Sequence, residues 1–549
     1  MNDFKTCIAA AALFLAFPSA VADSHWNTLI WHTCGTRLTK DEPLEYGEFY
    51  GRIVRLEHSG AANGRLIATY EHFPSPFVIF RSDDDGLTWR QIATTPHGQM
   101  PAPWMFEGEP HLFELPQATA DLPAGTLLIA GSTVKQNADG KHLEQRLELY
   151  ASRDQGLTWS YRGTAATCDG LHGNIWEPNI QLAANGHLMM YFSDERLQPT
   201  YSQVLAEQES TDGGRTWGPS RTIVAVPDGR QRPGMAVTQK LSDGRYVMSY
   251  EWINGEQNPA YVRFSRDGIE WGDPKDRGIP VKASSGAYIG GTPYCLWMPK
   301  VGPKGALVVN ARELNKSPNT DREVFVNFNL GEGPWIAMPS PVQWQGNQEF
   351  DGWSMGMIAT ADGHGIIQMA SSYAGKSLNE ILIARSPVLV PGQRYMIVNA
   401  ESGLALSVPG DSKTHGTLLQ QLPPSAALGQ EWTFEAVGDE TFAIVNSGSG
   451  LAMDDFQFKS NNSSPVAVYD KNLLPVQQWK PIPVGDGTYK FLNMYADRVI
   501  GITGDPKKAG AQVSFWDDDG DKSHCWKIVP VVRGSSLRTN PRDELTAIR

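Results

Sequence analysis

Short apolar runs separated by glycine-containing turns repeat along most of the chain. Runs of this length, bounded by turn residues, are typical of β-strands. They align as six units, and each unit has a first apolar strand, a turn, a second apolar strand and a later third strand. The first strands begin at YGRIVRL, GEPHLFEL, WEPNIQL, RPGMAVTQKL, GTPYCLWM and WSMGMIAT. The pattern therefore predicts an all-β protein built largely from six similar sheets.

One polar motif marks a turn in several of these units. The motif S-x-D-x-G-x-T-W occurs at Ser82–Trp89, Ser152–Trp159 and Ser210–Trp217, and a shortened copy ends at Trp271. Its glycine supplies the positive φ of a tight turn, and its aspartate accepts hydrogen bonds from turn amides. The motif resembles the Asp box of sialidase-like propellers, which is a structural turn remote from the active centre. We therefore predict a six-bladed, sialidase-like β-propeller over residues 23–392.

The beginning of the chain is predicted to serve two purposes. Residues 1–22 combine one lysine, an apolar run from Cys7 to Phe17 and the small residues Ala20–Ala22, as in a signal peptide. This run is much shorter than the roughly 20 residues that cross a bilayer, so we expect a secreted protein rather than a membrane anchor. The sixth unit lacks the motif, and we expect Asn27–Thr33 to supply the outer strand of the last blade.

Charge and cysteine content narrow the range of functions. The chain has 60 Asp and Glu residues against 47 Lys and Arg, and the net charge of −13 disfavours a nucleic-acid partner. Beyond the signal peptide the cysteines are Cys34, Cys168, Cys295 and Cys525. None forms a CxxC pair, so neither a zinc site nor a redox motif is indicated, and the pairing of a single disulfide stays open. We expect a monomer with no metal, no cofactor and no membrane partner.

A second repeat begins near residue 393. Three units of short strands end in the sequences QEW, QQW and HCW. Their evenly spaced tryptophans are Trp432, Trp479 and Trp526. The units resemble the ricin-type β-trefoil, a carbohydrate-binding module, over residues 393–533, and residues 534–549 are expected to be a disordered tail. We expect the three tryptophans to be core residues rather than ligand contacts.

The trefoil resemblance implies one sugar site. The family's ligand position is an aspartate shortly after SGL, which matches Asp454, whereas Ser407 stands there in the first unit and the third unit reads RVIGIT. Only the middle unit therefore retains a pocket, with Asp454, Tyr469 and Asn472 as sugar contacts, because an aromatic face can stack on a sugar ring. The alternative is a degenerate trefoil that only packs on the propeller.

Carboxylates near the entrance of the propeller channel are the candidate chemistry. The first strand of each blade lies beside the channel in such a fold. The candidates are Glu71, Glu109, Glu177, Glu251 and Asp351. Glu177 begins the third blade's first strand and Glu251 ends the fourth blade's second strand, so adjacent blades can bring them into one cleft that suits glycoside hydrolysis. The neighbouring Trp176, Tyr250 and Trp252 predict a desolvated setting that raises a carboxyl pKa.

The motifs NIWEPNI and RPGMAVTQKLSDGRYVMSYEW, together with the Asp-box propeller, resemble glycoside hydrolase family 93 over residues 27–392. Members are exo-α-1,5-L-arabinanases, which release arabinobiose from the non-reducing end of arabinan, a plant cell-wall polysaccharide, with retention. The resemblance implies Glu177 and Glu251 as the catalytic pair, with Glu177 as nucleophile and Glu251 as acid/base, or the reverse. From their places at strand entrances or adjoining loops, the predicted substrate contacts are Arg52, Trp176, Tyr288, Tyr294, Arg312 and Trp353.

Two other functions stay open at the level of sequence. An exo-sialidase shares the propeller and its Asp boxes but binds a sugar carboxylate, normally with three arginines, and uses a tyrosine nucleophile with a glutamate partner. YGRIVRL places Arg52 as in the sialidase first-strand motif, although Val54 replaces the expected proline, and Arg312 and Arg385 could complete the triad. The third function is that of a secreted lectin in which both domains only bind glycans. The two glutamate motifs favour arabinan hydrolysis.

Overall fold

The structure of the protein is a computed structural model, and it consists mainly of β-strands. It describes residues 36–38, 47–72, 76–96, 104–137, 142–170, 172–318, 322–344, 350–375, 378–484 and 487–531. Within these ranges the chain forms β-strands, short 3₁₀ turns and loops without any α-helix, which confirms the all-β class. The 3₁₀ turns are Gly60–Ala62, Pro409–Asp411, Leu428–Gln430, Phe456–Phe458, Pro475–Gln477 and Lys522–His524. No helix among the described residues is long and apolar enough to cross a bilayer.

Six four-stranded antiparallel sheets form the blades of a propeller, as the repeats predicted. The first strands of neighbouring blades pack on one another around the ring. From the channel outward, the strands are Phe49–Arg55, Leu66–Glu71, Val78–Ser82 and Arg90–Thr94 in blade 1; Trp104–Glu114, Leu127–Gln136, His142–Ser152 and Ser160–Cys168 in blade 2; Ile175–Leu182, Leu188–Asp194, Val204–Ser210 and Arg221–Val224 in blade 3; Arg232–Lys240, Tyr246–Ile253, Tyr261–Ser265 and Ile279–Pro280 in blade 4; Tyr294–Met298, Ala306–Asn310, Glu323–Asn327 and Ile336–Pro339 in blade 5; and Met357–Ala359, Gly365–Gly375, Leu378–Pro387 and Thr36–Arg37 in blade 6. A small additional sheet comprises Ile289–Gly290, Glu313–Leu314 and Ser317–Pro318.

The N-terminal part of the chain completes the last blade. Thr36–Arg37 pairs antiparallel with Leu378–Pro387, and Thr36 lies opposite Ile383. Joining both ends of the propeller in one sheet removes an exposed sheet edge. The residues expected to do this, Asn27–Thr33, lie outside the described residues, as do the predicted signal peptide and C-terminal tail.

Each Asp box closes the turn between the third and fourth strands of its blade. In blade 2 the Asp154 carboxylate accepts the Thr158 N–H at 2.9 Å, and the Ser152 hydroxyl accepts the Gly156 N–H at 2.9 Å. The Trp159 indole donates to the Gly156 carbonyl at 3.0 Å. The same bonds recur in blades 1 and 3. The motif is therefore a structural turn, as predicted.

A β-trefoil follows the propeller. Its strands are Tyr395–Asn399, Ala405–Ser407, Thr417–Leu418, Gln420–Leu422, Trp432–Gly438, Thr441–Asn446, Ala452–Asp455, Val466–Tyr469, Trp479–Pro483, Tyr489–Asn493, Arg498–Ile502, Val513–Trp516 and Trp526–Pro530. Trp432, Trp479 and Trp526 are fully buried, and each indole N–H donates to a backbone carbonyl of its own unit at 2.9 to 3.1 Å. The three tryptophans are therefore equivalent core residues.

The trefoil packs directly on the propeller. The Tyr395 hydroxyl donates to the Val388 carbonyl at 3.2 Å and accepts the Val390 N–H at 2.8 Å. The Ser285 hydroxyl donates to the Asp439 carboxylate at 3.0 Å. One hydrophobic cluster extends from blade 5 into the trefoil. The two domains therefore share buried contacts.

Candidate active site

A residue with left-handed backbone stands at the channel end of the first strand in every blade. The six residues are Tyr50, Glu109, Glu177, Met235, Thr292 and Ser354, with φ between 47° and 58°. In blades 1 to 4 the pairing with the second strand shifts at this point, which forms a β-bulge. Such a conformation costs a non-glycine residue about 1–3 kcal/mol and persists only where the surroundings impose it. The channel entrance is thus ringed by strained positions.

The left-handed residues direct backbone N–H groups toward side chains of the preceding blade. The Glu177 N–H donates to Glu109 Oε2 at 2.8 Å, and the Thr292 N–H donates to Glu251 Oε2 at 2.7 Å. A buried N–H group without a partner is costly, so acceptor side chains are needed at these places. This requirement explains in part why carboxylates gather at the entrance.

Glu177 lies half-buried at the bulge of blade 3. Its carboxylate accepts a hydrogen bond from the Ser193 hydroxyl, and the Met235 N–H donates to Oε2 at 3.3 Å. Burial raises the pKa of Glu177 to about 7, while these two hydrogen bonds and the charge of Arg232 act in the opposite direction. The group can therefore gain or lose a proton near neutral pH.

Glu251 lies half-buried on the second strand of blade 4. Burial and the neighbouring Glu177 carboxyl raise the pKa of Glu251 to about 8, and the Thr292 N–H opposes this shift. Gly234 faces Glu251 across the sheet, and a Cβ at Gly234 would lie 3.1 Å from Ser193 Oγ and 3.3 Å from Glu251 Oε1. The structure therefore brings the two predicted carboxyls to one place at the entrance, with room left by a missing side chain.

The aromatic neighbours of Glu251 do not line this site. Tyr250 and Trp252 alternate with Glu251 along the strand and are buried between blades 3 and 4. The Tyr250 hydroxyl donates to the Arg277 carbonyl, and the Trp252 indole donates to Gln231 Oε1 at 2.7 Å. A raised pKa was expected from these rings, but its source is the burial of the carboxyl itself and the second carboxyl beside it.

Arg52 is buried on the first strand of blade 1, two residues after Tyr50. Its side chain lies 4.0 Å from the Tyr50 ring centroid and 5.2 Å from the Tyr294 centroid. Its Nη atoms donate to the Ser354 carbonyl at 2.7 Å and hydroxyl at 2.8 Å. Burial raises the pKa of Tyr294 to about 12 and that of Tyr50 well above its ordinary value, and the charge of Glu177 also raises the pKa of Tyr50. Tyr50 therefore lies within range of the Glu177 charge.

Arg312 and Trp353 form a second predicted group. The Arg312 guanidinium lies 5.1 Å from the Trp353 ring centroid, and its Nε donates to the Asp351 carbonyl at 3.2 Å. Phe350 packs edge-on against Trp353 with centroids 5.6 Å apart. Arg312 and Trp353 are half-buried, so both retain accessible surface. The Asp351 carboxylate is buried and accepts a bond from Asn379 at 2.7 Å, which indicates a structural role.

Trp176 and Tyr288 differ in their surroundings. Trp176 is half-buried and precedes Glu177 on the bulged strand. Tyr288 is 8% exposed, and its ring lies 5.3 Å from the Lys282 ammonium. The Tyr288 N–H donates to Asn315 Oδ1 at 3.0 Å. These contacts place Tyr288 among loops around blade 5 and do not connect it to the carboxyl pair.

Several residues of the site were missed by sequence reasoning. Arg232 donates to Glu195 Oε1 at 2.5 Å and to Gln203 Oε1 at 2.6 Å, and its charge lowers the pKa of both catalytic candidates. The charge of Glu313 raises the pKa of Glu251. Arg232 opens the RPGMAVTQKL motif, so a charged residue at a strand entrance was available as a signal. Ser193 and Glu313 reach the site through cross-strand register, which leaves no such signal.

Within the described ranges, no group of three or more His, Cys, Asp and Glu side chains is arranged to hold a metal ion. Cys168 and Cys295 are buried free thiols, and Cys295 Sγ donates to the Val237 carbonyl at 3.3 Å. Cys34 lies outside the described residues.

The middle unit of the trefoil contains a second candidate site. Gln477 Nε2 donates to Asp454 Oδ2 at 2.6 Å, and burial raises the pKa of Asp454 to about 6. Tyr469 stacks with His415, with ring centroids 6.0 Å apart. Asn472 is exposed, and its backbone N–H donates to Gln477 Oε1 at 2.8 Å. Gln477, the first residue of QQW, therefore contacts Asp454 directly and was missed.

The other two trefoil units lack a carboxylate at this position. In the first unit Gln430 Nε2 donates to Ser407 Oγ at 3.0 Å. In the third unit Gly501 takes the place, and a Cβ there would lie 2.1 Å from His524 Cδ2. His524 stacks with Trp516, with centroids 6.0 Å apart, and occupies the space. Within the described residues, the middle unit alone has the predicted aspartate.

Comparisons with known proteins agree with both domains. Residues 62–282 match the BNR repeat-like domain family, and residues 388–469 match the ricin-type β-trefoil lectin domain-like family. No curated protein matches the chain. A Penicillium chrysogenum α-L-arabinanase complexed with arabinobiose is similar in structure at 29% identity with a TM-score of 0.53, over 65% of this chain and 97% of that chain.

Two structures of a Fusarium graminearum enzyme are similar to this chain to about the same extent. The α-L-arabinofuranosidase in complex with an iminosugar inhibitor has 26% identity and a TM-score of 0.54, over 65% of this chain and 98% of that chain. The glycoside hydrolase family 93 α-L-arabinofuranosidase with arabinobiose has 27% identity and a TM-score of 0.54, over 64% of this chain and 97% of that chain.

The fold, the paired carboxyls and these similarities define the protein as a glycoside hydrolase with a six-bladed propeller and a ricin-type β-trefoil. Its propeller is similar to those of glycoside hydrolase family 93, as the two glutamate motifs predicted.

Proposed function

We propose that the protein is a secreted, retaining, exo-acting hydrolase of α-1,5-L-arabinan that releases arabinobiose from the non-reducing end. The observation that carries the proposal is the pairing of Glu177 and Glu251 at the channel entrance, both half-buried and both with a raised pKa. Acid-assisted cleavage of a glycosidic bond requires one carboxyl that holds its proton near neutral pH and one that is ionised. The arabinanase bound to arabinobiose supports the choice of substrate.

The contacts of the two carboxyls support different roles. Glu177 receives hydrogen bonds from Ser193 and Met235, which favour its ionised form and hence nucleophilic attack on the anomeric carbon. Glu251 lies beside that charge, which favours its protonated form and hence protonation of the leaving oxygen. After the leaving group departs, Glu251 would deprotonate the water that hydrolyses the glycosyl-enzyme bond.

Three side chains with accessible surface would provide contacts for a sugar in this proposal. Trp176 and Trp353 are half-buried and offer aromatic faces, and Arg312 offers hydrogen-bond donors to hydroxyl groups. Arg52 and Tyr294 are buried, so they offer little surface to a sugar. The predicted role of Tyr288 in binding has no support from its contacts.

An exo-sialidase is the weaker alternative. The Arg385 guanidinium donates to the Asp85 carbonyl and lies 3.8 Å from the Asp85 carboxylate, in the Asp box of blade 1. Arg385 therefore cannot join Arg52 in a triad that binds a sugar carboxylate. The Nη atoms of Arg52 are also bound to Ser354. Burial raises the pKa of Tyr50 well above its ordinary value, which disfavours a tyrosine nucleophile.

The test is incubation of the full chain with linear α-1,5-arabinan, with a sialoside and with neither. Arabinobiose as the first product supports the proposal, whereas release of sialic acid, or of neither sugar, contradicts it. Glu177→Gln and Glu251→Gln should each lower the rate about a thousandfold or more. Glu207→Gln is the matched control, because burial also raises the pKa of this blade 3 carboxyl to about 8, and it should retain activity.

Azide separates the two roles. In Glu177→Ala, azide should enter from the vacated side and give a glycosyl azide of inverted configuration, because no covalent intermediate forms. In Glu251→Ala, azide should intercept the intermediate on Glu177 and give the retained configuration. The opposite pair of products would exchange the roles, and near-normal turnover of arabinan by both variants would refute the catalytic pair.

We infer a second function, glycan binding by the middle unit of the trefoil. The observation that favours it is the Asp454 carboxylate held by Gln477 at 2.6 Å on a strand that pairs with that of Tyr469. A fixed carboxylate and an aromatic ring are a common combination for binding sugar hydroxyls and the apolar face of the ring. Such a domain would retain the hydrolase on its polymer.

A further inference from the structure

Two carboxylates at the entrance, Glu71 and Glu109, take no part in the mechanism described above. Glu71 Oε2 accepts the Glu109 N–H at 2.8 Å, and Glu109 Oε2 accepts the Glu177 N–H at 2.8 Å. These bonds link blades 1, 2 and 3 in series. The series ends at the backbone of the residue that attacks the anomeric carbon in the proposed mechanism.

The backbone is strained at both residues whose N–H groups donate these bonds. Glu109 and Glu177 have φ of 56° and 58°, and each lies at a β-bulge. A conformation of this kind persists only if its surroundings impose it. A hydrogen bond from an N–H group to a carboxylate is roughly twice as strong as one to a neutral acceptor. Each carboxylate is therefore suited to hold the next bulge in its left-handed form.

The surroundings of the two carboxylates are built for this arrangement. The Ser132 hydroxyl donates to Glu109 Oε2 at 3.1 Å, and this is the same oxygen that accepts the Glu177 N–H. Gly108 has φ of 144°, and a Cβ there would lie 1.9 Å from Glu71 Cδ, so only glycine leaves space for the Glu71 carboxylate. Both carboxylates are thus fixed in position before any substrate binds.

We propose that Glu109 is a positioning residue for Glu177, and that Glu71 positions Glu109 in turn. The inference rests on the proposed function, because it concerns the residue assigned there as nucleophile. The Glu109 carboxylate holds the bulge whose geometry aims the Glu177 side chain into the channel. Without this acceptor the bulge relaxes and the carboxyl moves away from the line of attack. A shift of about 1 Å in a reacting group can cost on the order of a hundredfold in rate.

The same strand supplies a matched control. Glu114 lies at the other end of the first strand of blade 2, and its carboxylate accepts the Glu57 N–H at 2.6 Å and the Ser59 hydroxyl at 2.7 Å. Glu109 and Glu114 are thus two glutamates that bind the backbone or side chains of a neighbouring blade, one at the channel entrance and one remote from it. Loss of either bond affects folding, but only loss of the Glu109 bond acts on Glu177.

The experiment compares Glu109→Ala, Glu109→Gln, Glu114→Ala and Glu177→Ala as full chains on linear α-1,5-arabinan. We expect Glu109→Ala to lower kcat on the order of 10- to 100-fold with KM changed less than about threefold. Glu109→Gln should recover most of this loss, because its amide oxygen can accept the same N–H. Glu114→Ala should lower the melting temperature without lowering kcat. If Glu109→Ala melts below the assay temperature, Glu109→Asp gives the same test, since its shorter side chain cannot bring the carboxylate to the Glu177 N–H.

Three results overturn the inference. The first is a Glu109→Ala variant with normal kcat and normal KM. The second is the same variant with a raised KM and a normal kcat, which indicates direct substrate contact. The third is a Glu109→Gln variant whose kcat is no higher than that of Glu109→Ala. Failure of the proposed function looks different, because either the native chain would then leave arabinan intact or Glu177→Ala would retain normal turnover. An inactive Glu177→Ala beside a fully active Glu109→Ala refutes the positioning role alone.

Discussion

Gly234 and Glu251 face each other across the first two strands of blade 4, and the missing side chain of Gly234 makes room for the carboxyl pair. A Cβ at Gly234 would lie 2.4 Å from Gln203 Nε2, 3.1 Å from Ser193 Oγ and 3.3 Å from Glu251 Oε1. Gln203 holds Arg232, and Ser193 donates to the Glu177 carboxylate. Gln203 and Ser193 therefore both lie next to the position that a methyl group at residue 234 would occupy.

Gly234→Ala should impair catalysis more than folding. The added methyl would displace Gln203 or Ser193, and we expect kcat/KM to fall on the order of 10- to 100-fold, while the free energy of unfolding falls by about 1–3 kcal/mol. Gly218→Ala is the control, because its added Cβ meets only the Glu209 carbonyl at 3.5 Å. Steady-state kinetics and thermal melts check both values, and normal kinetics in Gly234→Ala would mean that the pair has more room than the contacts indicate.

The rate of hydrolysis should depend on pH as a bell-shaped curve. The proposed mechanism needs Glu177 ionised and Glu251 protonated, and their pKa values lie at about 7 and about 8. The rate constant kcat/KM should therefore fall as the pH drops below the lower value and as it rises above the higher one. An aryl arabinoside with a nitrophenolate leaving group should lose much of the alkaline limb, because that leaving group needs no proton. A profile that is flat from pH 5 to 9 would contradict the assignment.

The same carboxyls should make the folded protein less stable at alkaline pH. Their pKa values are raised in the fold above the ordinary value of 4.5, so the folded chain binds more protons than the unfolded chain between about pH 5 and pH 8. Stability from this source is present at low pH and is lost as the pH rises through that interval. Glu251→Gln should therefore raise the stability at pH 9 by about 1–3 kcal/mol relative to the native chain. Calorimetry at pH 5 and pH 9 tests this, and an equal effect at both would exclude titration as the cause.

Tyr50→Phe distinguishes arabinan hydrolysis from a sialidase mechanism. The charge of Glu177 acts on the Tyr50 hydroxyl, but burial raises the pKa of Tyr50 well above the ordinary value. We expect the variant to keep arabinan hydrolysis within about tenfold of normal, because loss of one hydroxyl contact costs about 1 kcal/mol. A tyrosine nucleophile would instead lose about a thousandfold or more. Rates on linear arabinan and on a sialoside decide between these outcomes.

Local signals explain why the fold could be predicted. An Asp box contains every residue of its own hydrogen bonds, from Ser152 to Trp159, so the motif alone defines the turn. Trp479 likewise contacts the carbonyl of Met453 within its own unit, and the even spacing of such residues indicates three equal units. The shared core between blade 5 and the trefoil depends on distant parts of the chain, and no local pattern indicates it.

The site was predictable only in part. Glu177 and Glu251 stand in recognisable motifs, but the hydroxyl of Ser193 and the N–H of Met235 meet Glu177 through a bulge. A left-handed non-glycine residue leaves no mark in the sequence, so these contacts could not be predicted. Arg385 illustrates the opposite error, because an arginine on a blade strand suggested a ligand role while its side chain lies at the Asp box.

Asp454→Ala should separate polymer retention from catalysis. Asp454 is the buried carboxylate of the middle trefoil unit, held by Gln477 at 2.6 Å, and no contact described for it reaches the propeller channel. Retention on insoluble arabinan should fall on the order of tenfold, whereas hydrolysis of a short soluble arabinooligosaccharide should stay within about twofold of normal, because an attached binding domain acts through local concentration.

Ser407→Ala is the control for the trefoil, because Ser407 occupies the equivalent place in the first unit and accepts a bond from Gln430 at 3.0 Å. It should retain the protein on insoluble arabinan as the native chain does. Binding isotherms on washed polysaccharide and initial rates on the soluble substrate give the two readouts. Unchanged retention in Asp454→Ala would mean that the trefoil only packs on the propeller, and an equal loss in Ser407→Ala would mean that the substitutions disturb the fold rather than one pocket.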